Sequence, residues 1–519
     1  MTANRRIFLN IVATYGRSLY ALVIGLFCGR WSLMALGQSD YGIMGVVGGM
    51  TAFISFFNAI LGSSIARFYA VTVGREETDG ESAVEEGRMW FTTAVVIHAV
   101  FPLLLIAIGY PLGEYAVRYW LVMPADRIAA AVWVWRFVCC TCFISMVSVP
   151  MNAMYAAKQY IAELTVYSFV TTTLNALFLY YMVSHPGVWL SRYAFWQCLL
   201  GVLPNIIIAV RAFTLFPECR FRWKYANCLT NLRKLGGYAM WNAWGGLGAI
   251  LRANGSTILI NVNFGPEVNA GSAVGTNLSG QCNSLSGSLV GAFSPAIFNA
   301  WGAQQFERAR RLAYQTCKFG TVFILLFAIP LCLEVDEVLV LWLKNPPPYA
   351  SGFCIFILAM NVIDKLASGQ MIAVNANGKI ALYQAFLGTS LVLALPVAWV
   401  LIRLGFGPYS VGAAMVMTMC LCAAGRVWFA RSLVGMSARH WLVRIALPIA
   451  LAASLAMPLG LLPQLLMAPS FLRVCATTAA TEIAFLPLVW LLVLDASEKA
   501  YARERARILW ARVKGGAHA

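Results

Sequence analysis

Five arginines sit where a membrane protein can least accommodate them. Arg17 and Arg30 lie in "ATYGRSLYALVIGLFCGRWSLMALG" (13–37), and Arg67 follows Ser63 and Ser64 in a second apolar stretch. Arg136 follows Trp133 and Trp135, and Arg252 lies in "NAWGGLGAILRANG" (242–255). A charge at the bilayer centre costs at least ~2.5 kcal/mol. The guanidinium stays charged, and its planar fork matches phosphate and carboxylate. The stretches that hold these arginines contain no Asp or Glu except at their ends. Excess fixed positive charge at that depth calls for a water-filled cavity, an anion, or both. Arg17 and Arg30 are 13 residues apart, about 20 Å along a helix and roughly 140° around it. They cannot hold one small group together. They read as a deep and an outer station for an anion, with Arg30 snorkelling to the headgroups as the alternative.

Other polar positions share these stretches. Asn277, Gln281, Ser284 and Ser288 follow an i, i+4, i+7, i+11 stripe. Such amides and hydroxyls suit sugar hydroxyls, and they equally suit helix–helix hydrogen bonds; Gly271, Gly275, Gly280 and Gly287 argue for close packing. Trp244, with Trp241, is a stacking surface for sugar or an interfacial tryptophan. "NVIDKLAS" (361–368) puts Asp364 beside Lys365, either neutralising each other or offering a carboxylate for ion coupling. His98 reads as a packing residue. The fourteen cysteines lie mostly in apolar runs and, with four histidines, give no zinc spacing, so they read as small hydrophobes.

The elements that must position these groups are membrane helices. The chain is 60% hydrophobic and 11% charged, with mean hydropathy +0.73. No soluble globular class has that composition. Fourteen apolar stretches have spanning length: 7–35, 41–74, 89–111, 128–155, 161–183, 190–213, 232–262, 268–301, 310–333, 350–376, 380–402, 409–430, 443–462 and 472–494. The first is too long for a signal peptide and lacks a cleavage site, so it is expected to remain. With the N-terminus inside, 24 Lys and Arg fall on cytoplasmic segments, five outside and nine within spans, of the 38 present. The positive-inside rule places both termini in the cytoplasm. It also accounts for much of the net charge of +17 without nucleic acid. Lys318, Arg426 and Arg473, near span ends, are expected to snorkel.

The halves echo each other. "LMALGQSDYGIMGVVGG" (33–49) and "INVNFGPEVNAGSAVGT" (260–276) place Gly37 and Gly265 at the same point, between a long apolar helix and a Gly-rich one. A doubled six-span bundle is a transporter signature. The expected fold is an all-α polytopic membrane protein of about fourteen transmembrane helices: two pseudo-symmetric six-helix lobes plus two C-terminal helices. The expected division is an N-lobe over 1–213, a cytoplasmic linker over 214–231 and a C-lobe over 232–435. Two further spans follow over 436–496, then a basic tail over 497–519.

"ALGQSDYGIMGVVGGMTAFISFFNAILGSSIARFYAVTVG", "NVNFGPEVNAGSAVGTNLSGQ" and "ANGKIALYQ" resemble the bacterial polysaccharide-biosynthesis proteins. These are the oligosaccharide flippases of the multidrug/oligosaccharidyl-lipid/polysaccharide (MOP) exporter superfamily. The resemblance runs from about residue 7 to about 435. It implies two lobes around a central cavity and alternating access. The cargo would be an undecaprenyl-pyrophosphate-linked oligosaccharide, moved from the cytoplasmic to the periplasmic leaflet of the inner membrane for surface polysaccharide or O-antigen synthesis. Peptidoglycan-precursor flippases of the superfamily line their cavity with arginines, and Arg17, Arg30, Arg67 and Arg252 fall at comparable places. The partners implied are the lipid-linked glycan, the bilayer and polysaccharide-assembly enzymes; no cofactor, metal or nucleic acid is expected.

On these residues the pyrophosphate would meet Arg17, Arg30, Arg67, Arg136 and Arg252. The glycan would meet Asn277, Gln281, Ser284 and Trp244, with Asp364 and Lys365 as the coupling candidates. Two rivals stand beside this reading. A cation or drug antiporter of the same superfamily wants a buried carboxylate early in the first lobe, where this chain has arginines. A glycan polymerase or ligase wants catalytic groups on large outer loops. The stretches 112–127 and 334–349 are short, and Glu114, Asp126, Asp336 and Glu337 form no constellation. The expectation is therefore a transporter and not an enzyme.

Overall fold

Apolar runs of spanning length, with few breakers, fold as helices because lipid leaves the backbone no other donors or acceptors. A computed structural model describes residues 52–119, 124–185, 187–226 and 229–504, and scattered positions between 16 and 47. Sixteen helices are labelled here in order. They are α1 (Ala52–Asp79), α2 (Glu81–Tyr119), α3 (Ala125–Val147), α4 (Val149–Ala157), α5 (Ile161–Ser184), α6 (Leu190–Leu215), α7 (Leu229–Phe264) and α8 (Pro266–Gly302). Then follow α9 (Phe306–Leu333), α10 (Val335–Leu343), α11 (Ala350–Leu366), α12 (Ser368–Asn377), α13 (Ala381–Arg403), α14 (Ser410–Val434), α15 (Ala438–Leu466) and α16 (Phe471–Val493).

Helices cover the second to the fourteenth of the expected spans. Nine of the described helices are long and apolar enough to cross a membrane, ten if α11 and α12 form one span bent by 45°. Part of the first expected span is also helical, over described positions from Gly16 to Gly37. Gly37 and Gly265 both adopt positive φ, 71° and 86°. The repeat thus places a left-handed residue, which glycine adopts without strain, at the same point in each half.

The chain forms two compact units. Unit 1 takes Met1–Leu247, Gly291–Leu312 and Ile372–Ala385. Within it α1 packs on α2 and α4, and α3 on α2 and α6. One core collects Val47, Val117, Val134 and Leu190. Gly113 admits the Trp135 ring, which a Cβ would overlap, and Trp135 Nε1 donates to the Tyr110 carbonyl at 3.0 Å. Unit 2 takes Gly248–Val290, Ala313–Met371 and Phe386–Ala519. There α15 and α16 pack on each other and share a core with α9 through Ile329, Ile449, Phe485 and Val489.

The three cations expected to snorkel do not. Lys318 is buried and donates to Asp495 at 2.9 Å and Glu498 at 2.8 Å. Arg473 pairs with buried Glu334 at 2.8 Å, and Thr477 donates to the same carboxylate at 2.7 Å. Arg426 pairs with Asp364 at 2.8 Å. Each partner is distant in sequence, so burial with a carboxylate replaced the route to the headgroups. His98 is buried, its Nδ1 on the Ala94 carbonyl at 2.9 Å, as a packing residue would be.

Candidate functional site

In unit 1, Arg17 is half-buried on the first helix, and Arg30 lies outside the described residues. Two hydrogen bonds orient Arg67. Its Nε donates to the Asn375 carbonyl at 3.0 Å and its Nη2 to the Ala376 carbonyl at 2.9 Å. These carbonyls end α12, where no further turn satisfies them. The guanidinium also lies over the Phe68 and Tyr238 rings, 4.9 and 5.0 Å from their centroids. Gly378 follows at φ 87°, and a Cβ there would overlap the Arg67 guanidinium. Arg67 therefore caps a helix C-terminus, where a cation also meets the negative end of the dipole.

Arg136 has an acidic partner, contrary to the expectation that its surroundings lack one. Helix α2 runs through Pro111 to Tyr119, so Glu114 stands on a helix beside α3 and not on a loop. Arg136 Nη2 approaches Glu114 at 3.3 Å, and Arg118 donates to the same carboxylate at 2.6 Å. Two arginines share one acid there, and Arg136 also lies 5.1 Å from the Trp133 centroid. Trp244 is exposed on α7.

Unit 2 holds a denser charge cluster. Helices α11 and α12 meet at a 45° break around Ala367. Just before the break, Asp364 accepts from Arg426 of α14 at 2.8 Å, and Lys365 Nζ stands 3.5 Å from its other oxygen. Arg426 Nη1 also donates to the Asp364 main-chain carbonyl at 3.1 Å. Arg426 and Lys365 are both buried. Arg252 of α7 joins them electrostatically, acted on by Asp364 and Arg426. Its Nε and Nη1 are enclosed, and no acceptor among the described residues reaches either. The cluster sets one carboxylate against three cations. Buried N–H groups without acceptors cost about 1–3 kcal/mol each, more when charged. Such a site is electrostatically prepared for an anion.

The stripe on α8 is exposed at Asn277, Gln281 and Ser284. Its glycines divide by face. Gly271 and Gly275 touch backbone: a Cβ on Gly271 would overlap the Pro348 carbonyl, and one on Gly275 would come within 2.8 Å of the Cys354 nitrogen. Ser279 and Ser286 continue that face, donating to the Cys354 and Gly320 carbonyls at 3.1 and 2.9 Å. Gly280 and Gly287 meet no neighbour among the described residues. The glycines in close contact and the exposed polar groups of α8 lie on different faces. Sequence reasoning missed Arg426 as a member of the cluster. Its partner is 62 residues away, and no local spacing signals that pairing.

No protein-family model and no curated protein sequence matches this chain. Solved structures do match. The chain is similar to an outward-facing multidrug resistance MATE family transporter of the MOP superfamily, with TM-score 0.69 at 14% identity over 83% of this chain and 95% of that one. It is similar to a MOP superfamily transporter from Pyrococcus furiosus, for which a reversed polarity of the binding pocket suggests a different function. There the TM-score is 0.65 at 12% identity, over 83% and 95% of the two chains. It is also similar to the Vibrio cholerae MATE transporter VcmN in its bent form, with TM-score 0.63 at 15% identity over 83% and 97%. The fold is that of MATE transporters.

Proposed function

We propose that this chain, on its transporter fold, is a flippase for an anionic lipid-linked oligosaccharide. It would carry an undecaprenyl-pyrophosphate-linked glycan from the cytoplasmic to the periplasmic leaflet of a bacterial inner membrane, with both of its termini cytoplasmic. The observation that carries this reading is the cluster of half-buried Arg252 with buried Lys365 and Arg426 against Asp364, with two enclosed Arg252 nitrogens left without acceptors among the described residues. A pyrophosphate supplies the missing acceptors in the bidentate form that guanidinium prefers. Arg17 is a second anion contact on the same logic, at membrane depth and half-buried. Asn277, Gln281, Ser284 and Trp244 are exposed groups suited to sugar hydroxyls and faces.

The cation or drug antiporter remains the second reading, favoured by the likeness to a multidrug resistance transporter. Against it stands the saturation of Asp364 by Arg426 and Lys365, which leaves that carboxylate little to offer a cation. The Pyrococcus furiosus transporter is a neighbour whose pocket polarity is itself reversed, so this fold accommodates such a change.

Proteoliposomes carrying a labelled lipid-linked glycan, assayed by a membrane-impermeant quencher, test the reading. Arg252→Ala and Arg17→Ala are expected to abolish transfer at wild-type abundance, and Arg17→Lys to restore only part. Full transfer by both alanine variants refutes the assignment. Uptake of a cationic drug without glycan transfer favours the antiporter.

A further inference from the structure

At the end of unit 1 that the charge distribution assigns to the cytoplasm, four chain segments surround a cavity of about 590 Å³. The last turn of α1, past its apolar run, brings Glu76. The turn after α4 brings Lys158, the stretch after α6 brings Glu218, and the junction of α8 with α9 brings Asn299 and Arg308. Glu76, Lys158, Asn299 and Arg308 line the cavity. Lys158 Nζ donates to both Glu76 oxygens and to Glu218 Oε1, each at 2.7 Å. Glu218 is 1% exposed. Its Oε2 is enclosed, and no donor among the described residues reaches it. Gly87 of α2 covers it so closely that a Cβ would stand 2.7 Å from Glu218 Cγ.

Two carboxylates thus share one ammonium. The surrounding charges are committed elsewhere. Arg75 pairs with Glu86 at 3.0 Å, and Glu85 takes Arg88 at 3.1 Å and Lys224 at 2.7 Å. Arg308 donates to Gln305 at 2.9 Å. Tyr160 lines the cavity, and Cys219 is a buried thiol beside Glu218. A carboxyl proton between Glu76 and Glu218 would fill the vacant acceptor position, with one O–H donating and the other carboxylate accepting.

The triad adjoins a backbone crossing. A Cβ at Gly74 would overlap the Asn299 carbonyl, and one at Gly302 the Val71 carbonyl, so α1 and the last turns of α8 touch main chain to main chain. Asn299 Nδ2 also donates to the Ala157 carbonyl at 3.2 Å, next to Lys158. Glu76 is two residues beyond Gly74.

We propose that Glu76, Glu218 and Lys158 form a proton-binding site open to the cytoplasm through this cavity, and that its proton secures the crossing of α1 with α8. With the proton the triad is neutral. Without it the triad buries one net negative charge, and the segments part to hydrate it. Burial, reinforced by the neighbouring Glu218, holds the Glu76 carboxyl up at about 7 against the pull of Lys158. A raised carboxyl value means that the folded site binds the proton more tightly than the unfolded chain. The crossing is therefore firmest below neutral pH and loosens as the pH rises through that value. The inference does not depend on which cargo the protein moves.

Infrared difference spectra of the full-length protein in nanodiscs test it, read at the protonated carboxyl stretch. Wild type is expected to show a carboxyl band that disappears between about pH 6 and 8, absent from Glu76→Gln and from Glu218→Gln. Lys158→Met is expected to move the midpoint up by about one pH unit or more. Hydrogen–deuterium exchange at fixed pH 8 over 70–76 and 155–160 is expected to be slower in Glu76→Gln, whose amide stands in for the protonated carboxyl. A carboxyl band unchanged in both glutamine variants, or exchange unaltered by Glu76→Gln, overturns the proposal.

Discussion

Arg252 and Asp364 belong to one cluster, and their removal should have opposite effects on stability. Arg252 keeps two enclosed nitrogens without acceptors among the described residues. Arg252→Met removes that cost and fits a flexible apolar chain into the space, so the thermal midpoint should hold or rise, by up to about 1–3 kcal/mol of stability. Asp364→Ala strands Arg426 and Lys365, both buried, and should lose about 3–5 kcal/mol. Thermal unfolding of purified variants, followed by a thiol-reactive dye or scattering, measures both signs. Equal destabilisation by the two would mean that Arg252 has a structural partner. The sequence made the arginines visible because a charge in an apolar run stands out against its neighbours. It did not reveal their fates, which depend on partners remote along the chain. Arg67 found helix-ending carbonyls at Asn375 and Ala376, and Arg136 found Glu114 across a helix pair. Local spacing carries no trace of either contact.

At the scale of elements, α8 shows how one helix serves two environments. Its Gly271–Gly275–Ser279–Ser286 face meets backbone, and its Gly280–Gly287 face meets no neighbour among the described residues. Gly275→Leu should therefore prevent assembly, because the added side chain has only the Phe353–Cys354 backbone to enter. Gly280→Ala should be tolerated and should gain roughly 0.5–1 kcal/mol from helix propensity. Membrane abundance and the thermal midpoint of each variant check the contrast; loss of assembly in Gly280→Ala would place an unrecognised neighbour on the open face. Element positions were legible in the sequence because lipid demands long apolar helices, and the repeated Gly37 and Gly265 mark the same turn in both halves. Which glycines are contacts and which are surface was not legible, since both kinds recur at helical spacing. The same holds for breaks. Pro111 leaves α2 continuous, whereas the 45° break falls at Ala367, beside a Ser368–Gly369 pair whose glycine lies against the Ala313 carbonyl. Residue type and close packing act together there.

For the whole molecule the remaining question is what drives transport. On the proposed function, the cargo carries roughly two negative charges on its pyrophosphate. With an inside-negative potential, moving negative charge outward is downhill by ~2.3 kcal/mol per charge per 100 mV if the full field is crossed. Arginines fixed in the protein shield the anion at rest without removing that bias. On that reading the membrane potential would suffice as a driving force, with no carboxylate cycling a proton or sodium within the membrane. Asp364 is the group that could contradict this, and its geometry argues for a structural role: Arg426 at 2.8 Å and Lys365 at 3.5 Å hold both of its oxygens. In proteoliposomes with potassium and valinomycin, an inside-negative potential should accelerate outward glycan transfer, and a proton or sodium gradient at clamped zero potential should not. On the proposed proton site, the Glu76–Glu218 pair adds a separable effect. It should shift the rate with cytoplasmic pH at constant potential, and Glu76→Gln should erase that dependence while the response to potential persists. If an ion gradient drives transfer at zero potential, and Asp364→Asn removes that acceleration, then Asp364 is a coupling site and potential-driven transport is wrong.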